Sequence, residues 1–220
     1  MENPSRRRVL TAGLTGAVAT ALIGSRVSAT TPTEPPTTEG QGSSPDGTGP
    51  DGTEAPATTA PPTRPTDGDV TLLAFAQGAE LAARDLYAAA IEAETSDDTG
   101  VLATARVNHQ AAADALSAEI GAAAPQTADQ AIVDQYLGAF SSGDITQVAS
   151  AGYELENALV ATHSELTGMF HNLDAASNIA AITIAEAQMA AVLADLAGNG
   201  ADPDAVFDNS SAALSIPSEG

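Results

Sequence analysis

Between Ile179 and Gly198 the apolar residues Ile179, Ile182, Met189, Leu193 and Leu196 recur at alternating three- and four-residue steps. That spacing gives a helix one stripe turned toward a core. Glu186 falls inside the same stripe, between Ile182 and Met189. An ionised carboxylate in a helix seam is costly unless a cation or hydrogen-bond donors meet it, so the pattern predicts a buried partner for Glu186. Similar stripes run upstream. Leu72, Ala76, Ala79, Ala83, Leu86 and Ala90 predict a first helix over 70–94, starting from Asp69 as N-cap, with Glu80 beside its seam. Leu102, Ala105, His109, Ala112 and Leu116 predict a second over 101–122, which puts His109 in the seam and Arg106 next to it. Ile145, Val148, Gly152, Leu155, Leu159, Thr162, Leu166 and Met169 predict a third over 145–170. Glu156 and His163 each follow a seam residue of that helix by one position and, being seven apart, share a face. The fourth starts at Asp174 and is stopped by Gly198-Asn199-Gly200.

The connections between these stripes predict the topology. The first and second helices, and again the third and fourth, are joined by a few residues, so each pair should be antiparallel. Between the second and third, Pro125 ends one helix and Thr127 with Gln130 forms a capping-box pattern for a short helix ending near Ser141. That segment is long enough to travel the ~30 Å of a 20-residue helix. Two hairpins joined by one long crossover give an all-α four-helix bundle of ferritin-like connectivity. With aromatics only 3% of the chain, its core must be Ala, Leu, Ile and Val.

Outside 68–200 the pattern disappears. Residues 30–67 are Thr, Pro, Gly, Ser, Asp and Glu with almost no large apolar side chain, the composition of a disordered linker or stalk. Residues 1–29 read as an export signal. Ser5-Arg6-Arg7-Arg8-Val9-Leu10 resembles the twin-arginine motif, a mild apolar stretch follows, and Val27-Ser28-Ala29 is a small-residue cleavage site. The expected location is therefore outside the cytoplasm, by the twin-arginine route, with no membrane attachment after cleavage. The stalk would space the domain toward a cell wall or a protein partner. Residues 201–220 form an acidic tail with too few apolar residues for another long helix.

Charge narrows the partners. Basic side chains number seven, all arginine, against 29 acidic ones, for a formal net charge of −22. Such a surface repels nucleic acid and anionic lipid and suits a salty or cation-rich medium. The chain has no cysteine, which excludes disulfides, iron–sulfur ligation and thiol chemistry.

Three stretches carry a resemblance to a known family: Leu73-Ala74-Phe75-Ala76-Gln77-Gly78-Ala79-Glu80, Val107-Asn108-His109, and Ala185-Glu186-Ala187-Gln188-Met189-Ala190-Ala191-Val192-Leu193. In this order they resemble the ferritin-like superfamily, and in particular exported bacterial members with a twin-arginine signal. The resemblance implies a dimetal site to which the first and third helices each give a Glu, and the second and fourth each give Glu-x-x-His. Position by position, Glu80 matches the first carboxylate and His109 the second-helix histidine. Glu156 matches the third-helix carboxylate, with Glu154 its competitor, and Glu186 the fourth-helix one. Arg106 stands where the second helix should carry Glu, and Met189 where the fourth should carry His. A guanidinium cannot ligate, and a thioether suits iron or manganese poorly.

The resulting expectation is a degenerate site in which Arg106 replaces the metal and pairs with Glu80 and Glu186. His163 and His171 are expected at the surface. The leading functional expectation is a non-catalytic structural or interaction module. The alternative binds one divalent ion, iron or manganese, through Glu80, His109, Glu156 and Glu186. A dimetal oxidoreductase stands last.

Overall fold

A computed structural model of the chain describes residues 64–207 and 210–217. The expected signal, and all but the last residues of the expected linker, lie outside them. The described chain is all-helical: α1 (Asp67–Glu92), α2 (Val101–Ile120) with a 3₁₀ turn at Gly121–Ala123, α3 (Gln130–Phe140), α4 (Ile145–Met169), α5 (Leu173–Leu196) and a short α6 (Pro203–Phe207).

The stripes read from the sequence are the buried faces. All six α1 seam residues and all five of α2 are buried, as are Ile179, Ile182, Glu186, Met189 and Leu193 of α5. The helix starts differ from expectation because side-chain geometry selects the cap. Thr66, not Asp69, caps α1; Asp69 sits at the third helical position and completes a reciprocal capping box with Thr66. Asp129 caps α3 in place of Thr127, and Asn172 caps α5 in place of Asp174. Asp144 caps α4 as expected. The second helix ends at Ile120, ahead of Pro125, where Gly121 takes a left-handed φ of 69°.

Cross-helix contacts fix the directions. Glu80 meets His109 and Gln77 Nε2 donates to the Ala113 carbonyl, so α1 and α2 are antiparallel. His163 meets Glu186, and Gly152 lies against Leu193, so α4 and α5 are antiparallel. Tyr87 bonds Glu156 and Glu80 faces His163, which sets α4 antiparallel to α1 and therefore parallel to α2. The segment between α2 and α4 makes that possible. It starts beside Gly78, whose carbonyl accepts from Asp129 N at 2.9 Å. It follows α1 down to Phe140, packed edge-on to Tyr87 at 5.2 Å. Beyond it, an added Cβ at Gly143 would lie 3.4 Å from the Ala93 carbonyl, so the chain has reached the α1–α2 turn.

The interior is two apolar clusters stacked along the helices. One is built on Ala83, Leu86, Tyr87, Leu102, Phe140, Leu155, Leu159, Met189 and Leu193. The other is built on Leu72, Leu73, Ala76, Ala112, Leu116, Leu166, Ile179 and Ile182. Along α2, α4 and α5 the change from one cluster to the other falls at His109, at Thr162–His163 and at Glu186, and along α1 it falls between Ala76 and Ala79, just ahead of Glu80. A buried polar layer therefore separates the two apolar ones. The tail crosses this level from outside. Residues 210–217 have no helix or strand, yet Leu214 packs on the first cluster and Ile216 on the second. Residues 210–217 are thus drawn onto the helices by these apolar side chains.

Candidate metal centre

His109 and Glu186 enter the layer from seam positions, and Glu80, Glu156 and His163 enter it from the position directly after a seam residue. Glu80, Glu156 and His163 have no exposed surface, and Glu186 and His109 are 3% and 4% exposed. Burial of five ionisable side chains in one layer is tolerable only if they satisfy one another or a ligand.

Half of the layer is self-satisfied. His109 Nδ1 lies 2.8 Å from Glu80 Oε2, and His109 Nε2 lies 3.0 Å from Glu156 Oε1. An imidazolium donates from both ring nitrogens and so suits two flanking carboxylates. The electrostatics agree: burial disfavours its charge, but Glu156 and Glu80 outweigh that and hold its pKa well above the ordinary histidine value. Tyr87 completes this half. Its hydroxyl donates to Glu156 Oε1 at 2.6 Å, and its ring stacks on His109 at 5.5 Å with a 12° interplanar angle. Burial, then the Glu156 charge, raises the Tyr87 pKa well above the usual phenol value, so the hydroxyl stays a donor.

The other half is not satisfied. His163 Nδ1 lies 2.9 Å from Glu186 Oε2, while His163 Nε2 is 3.8 Å from Glu80 Oε1, too far for a hydrogen bond. With the carboxyls ionised, Glu80 Oε1, Glu186 Oε1 and Glu156 Oε2 are buried without a hydrogen-bond donor and His163 Nε2 without a partner; a protonated Glu186 shares its hydrogen with Glu80. Glu80, His163 and Glu186 each offer a ligand atom, all within 4.8 Å of one another, a geometry that can hold a metal ion. Burial, then the charges of Glu80 and Glu156, pushes the Glu186 carboxyl well above its ordinary value. Burial also opposes charge on Glu80, but the His109 cation outweighs it and holds that carboxyl below its ordinary value. His163 is lowered, chiefly by burial, with the His109 charge adding to it against the attraction of Glu80. A neutral His163 that gives its Nδ1 hydrogen to Glu186 keeps the Nε2 lone pair for an ion.

The four expected ligands Glu80, His109, Glu156 and Glu186 are thus brought into one layer, while Glu154 is exposed. Two expectations are corrected. Arg106 is exposed, because it follows the seam residue Ala105 on the outward side of α2, and it does not pair with Glu80 or Glu186. The cation between the carboxylates is His109. His163, expected at the surface, is fully buried; α4 is enclosed widely enough to bury both Thr162 and His163. His171 is exposed as expected, and its backbone N–H donates to Asp69 Oδ1 at 2.7 Å. Met189 packs in the first apolar cluster. Sequence reasoning did not single out Tyr87, although it lies seven residues after Glu80 and so on the same face of α1.

The chain matches no family model, no curated protein and no solved structure.

Proposed function

We propose that this chain is an exported ferritin-like four-helix bundle that binds one divalent metal ion through Glu80, His163 and Glu186. The observation that carries the reading is the convergence of three buried ligand atoms, unpartnered when the carboxyls are ionised, from those three residues. Two carboxylates and an imidazole suit iron or manganese by donor type, and ionised Glu80 and Glu186 would balance a 2+ charge. The ferritin-like connectivity is supported by the parallel course of α2 and α4 and the long segment 121–144 between them. Export rests on the twin-arginine-like Ser5–Leu10 segment.

One ion, rather than two, follows from His109. Its ring holds one oxygen of Glu80 and one of Glu156, and Tyr87 holds the same Glu156 oxygen. A resident imidazolium therefore takes up the ligands that a second ion would need. Without Glu at 106 or His at 189, nothing replaces them. Redox turnover at a metal pair is disfavoured on the same ground, and binding is the function that the layer supports best.

Anaerobic calorimetry of the full chain with Fe(II) or Mn(II), with metal analysis, tests this. One equivalent is expected, with a proton released because Glu186 must ionise to ligate. Glu80→Ala, His163→Ala and Glu186→Ala should each abolish binding, and Arg106→Ala should leave it intact. Two equivalents, or binding that survives His163→Ala, would sink the three-ligand, one-ion reading.

A further inference from the structure

We propose that the outward side of α2 and α5 docks a second copy of this chain, giving a two-fold dimer. The two helices lie side by side and antiparallel. Glu119 accepts from Asn178 at 2.7 Å near one end, and His109 and Glu186 share the polar layer further along. On the other side of the bundle α3 covers α1 and α4, with Ile132, Tyr136 and Phe140 buried in the first apolar cluster. The outward residues of α2 and α5 stay open. On α5, Leu173, Ser177, Ala180, Ile184, Ala187 and Ala191 recur at alternating four- and three-residue steps, opposite the buried stripe, and each is exposed or half-buried. Leu173 is 64% and Ile184 62% exposed. This helix is therefore apolar on both faces, and only 39% of its most apolar 18-residue stretch is buried. Beside it, α2 turns Ala103, Val107, Ala111 and Ala118 outward, with Val107 57% exposed. A contiguous apolar side of this kind marks an interaction surface.

Charge selects the occupant. The chain carries a formal net charge of −22, so two copies repel one another wherever their acidic surfaces meet. The α2–α5 side is different. From Val101 to Ala118 the charged side chains of α2 besides buried His109 are Arg106 and Asp114, and from Ala175 to Ala194 the single one of α5 is the buried Glu186. Glu119, Asp174 and Asp195 stand at the ends. The exposed Arg106 meets no carboxylate among the described residues. A two-fold contact sets a patch against itself, so one arginine and one aspartate on the patch are complementary across it. Nucleic acid and anionic lipid gain nothing from a neutral side and are repelled by the rest, while a basic partner is drawn to the acidic faces. Extent agrees with a second copy. Helices of 20 and 24 residues present a side about 30 Å by about 20 Å. That is about 600 Å² per copy and about 1,200 Å² for the pair, the lower end of specific interfaces. The dimer is accordingly reversible and concentration-dependent.

Sedimentation velocity of the full chain across a concentration series tests this, with chelator present so that no ion bridges acidic residues. A monomer–dimer equilibrium is expected. Raising salt to about 0.5 M, which shortens the screening length below about 5 Å, should tighten it by screening the repulsion between the two net charges. Ile184→Glu and Val107→Glu change exposed positions and leave the core intact. Each puts a carboxylate into the apolar side, twice in a symmetric dimer, and should raise the dissociation constant by about tenfold or more. Leu137→Glu, which adds the same charge at an exposed position of α3, should not. A monomer at every concentration overturns the dimer. So does an equilibrium that Ile184→Glu and Val107→Glu leave unchanged, one that Leu137→Glu weakens equally, or one that salt weakens. Flotation with vesicles of zwitterionic lipid, lost in Ile184→Glu, would give this side to a lipid surface and overturn the proposal as well. None of these readouts depends on an ion at Glu80, His163 and Glu186.

Discussion

His109 and Arg106 sit three residues apart on α2, and they exchange the roles that their charges suggest. The guanidinium is permanently charged and strongly hydrated and stays outside. The imidazole enters neutral or charged as its partners require, and between Glu80 and Glu156 it is a cation. Arg106→Ala should therefore change stability by no more than about 0.5 kcal/mol, as for other surface positions, in denaturant titration. His109→Leu leaves two carboxylates buried without their counter-ion and should cost about 3–5 kcal/mol at neutral pH. The pH dependence of the metal-free chain follows from the same pair. The His109 pKa is raised in the fold, so its contribution is fully present below the unfolded value near 6.5 and is lost as pH rises toward the folded one. Glu80 is lowered, so its contribution is present above about 4.5 and is lost as pH falls. His109 and Glu80 together favour mild acid and give a decline in alkali of up to about 1.4 kcal/mol per pH unit per proton. The raised Glu186 carboxyl adds to the decline as it ionises, and the lowered His163 contributes stability that is lost as pH falls below about 6.5. In His109→Gln the alkaline decline should flatten, and an unaltered decline would remove the buried-imidazolium assignment. The seam spacing made His109 and Glu186 legible as interior groups, and the resemblance pointed to Glu80 and Glu156. The spacing did not reveal His163, because a single stripe per helix assigns the interior to Thr162 and leaves the next residue outside. The shared face of Glu156 and His163 was the signal, and it acquires meaning only when α4 proves to be enclosed on two sides.

At the scale of elements, helix existence and inner faces were readable because Ala, Leu, Ile and Val repeat with few interruptions. Starts were less so. Thr66, Asp129 and Asn172 each took a cap from a neighbour that can also cap, since capping depends on which side chain reaches a free N–H. Close approach of elements is also invisible in a pattern of apolar positions. Gly152 reads as one more seam residue, but its missing side chain is what admits Tyr87 and Leu193 to α4. A Cβ there would stand 3.1 Å from the Tyr87 hydroxyl oxygen and 3.1 Å from Leu193 Cδ1. Gly152→Ala gains helix propensity of about 1 kcal/mol but forces both neighbours to shift, an overpacking cost of about 1–3 kcal/mol. The net should be destabilising, with the Tyr87–Glu156 hydrogen bond lengthened. Thermal melting with and without Tyr87→Phe in the same background checks it: the two changes should be less than additive, because both act on one contact. Full additivity would show that Gly152 acts elsewhere.

For the whole molecule, the connection order was inferred from loop lengths alone, and the observed directions of α1, α2 and α4 agree with it. What no loop length conveys is how the polar layer divides between the halves. The α1–α2 half brings Glu80 and its imidazolium, and the α4–α5 half brings the facing His163 and Glu186. An ion held by Glu80, His163 and Glu186 would therefore tie residues 83 positions apart in the sequence, from Glu80 to His163, in a chain with no cysteine to do so. It would act as a removable cross-link. Neither half holds all three ligands, so the tie forms only once the halves have docked, late in folding. Interactions absent from the transition state slow unfolding and leave the folding rate nearly alone. A saturating ion would then lengthen the lifetime of the folded chain, and a chelator would shorten it to the lifetime set by packing.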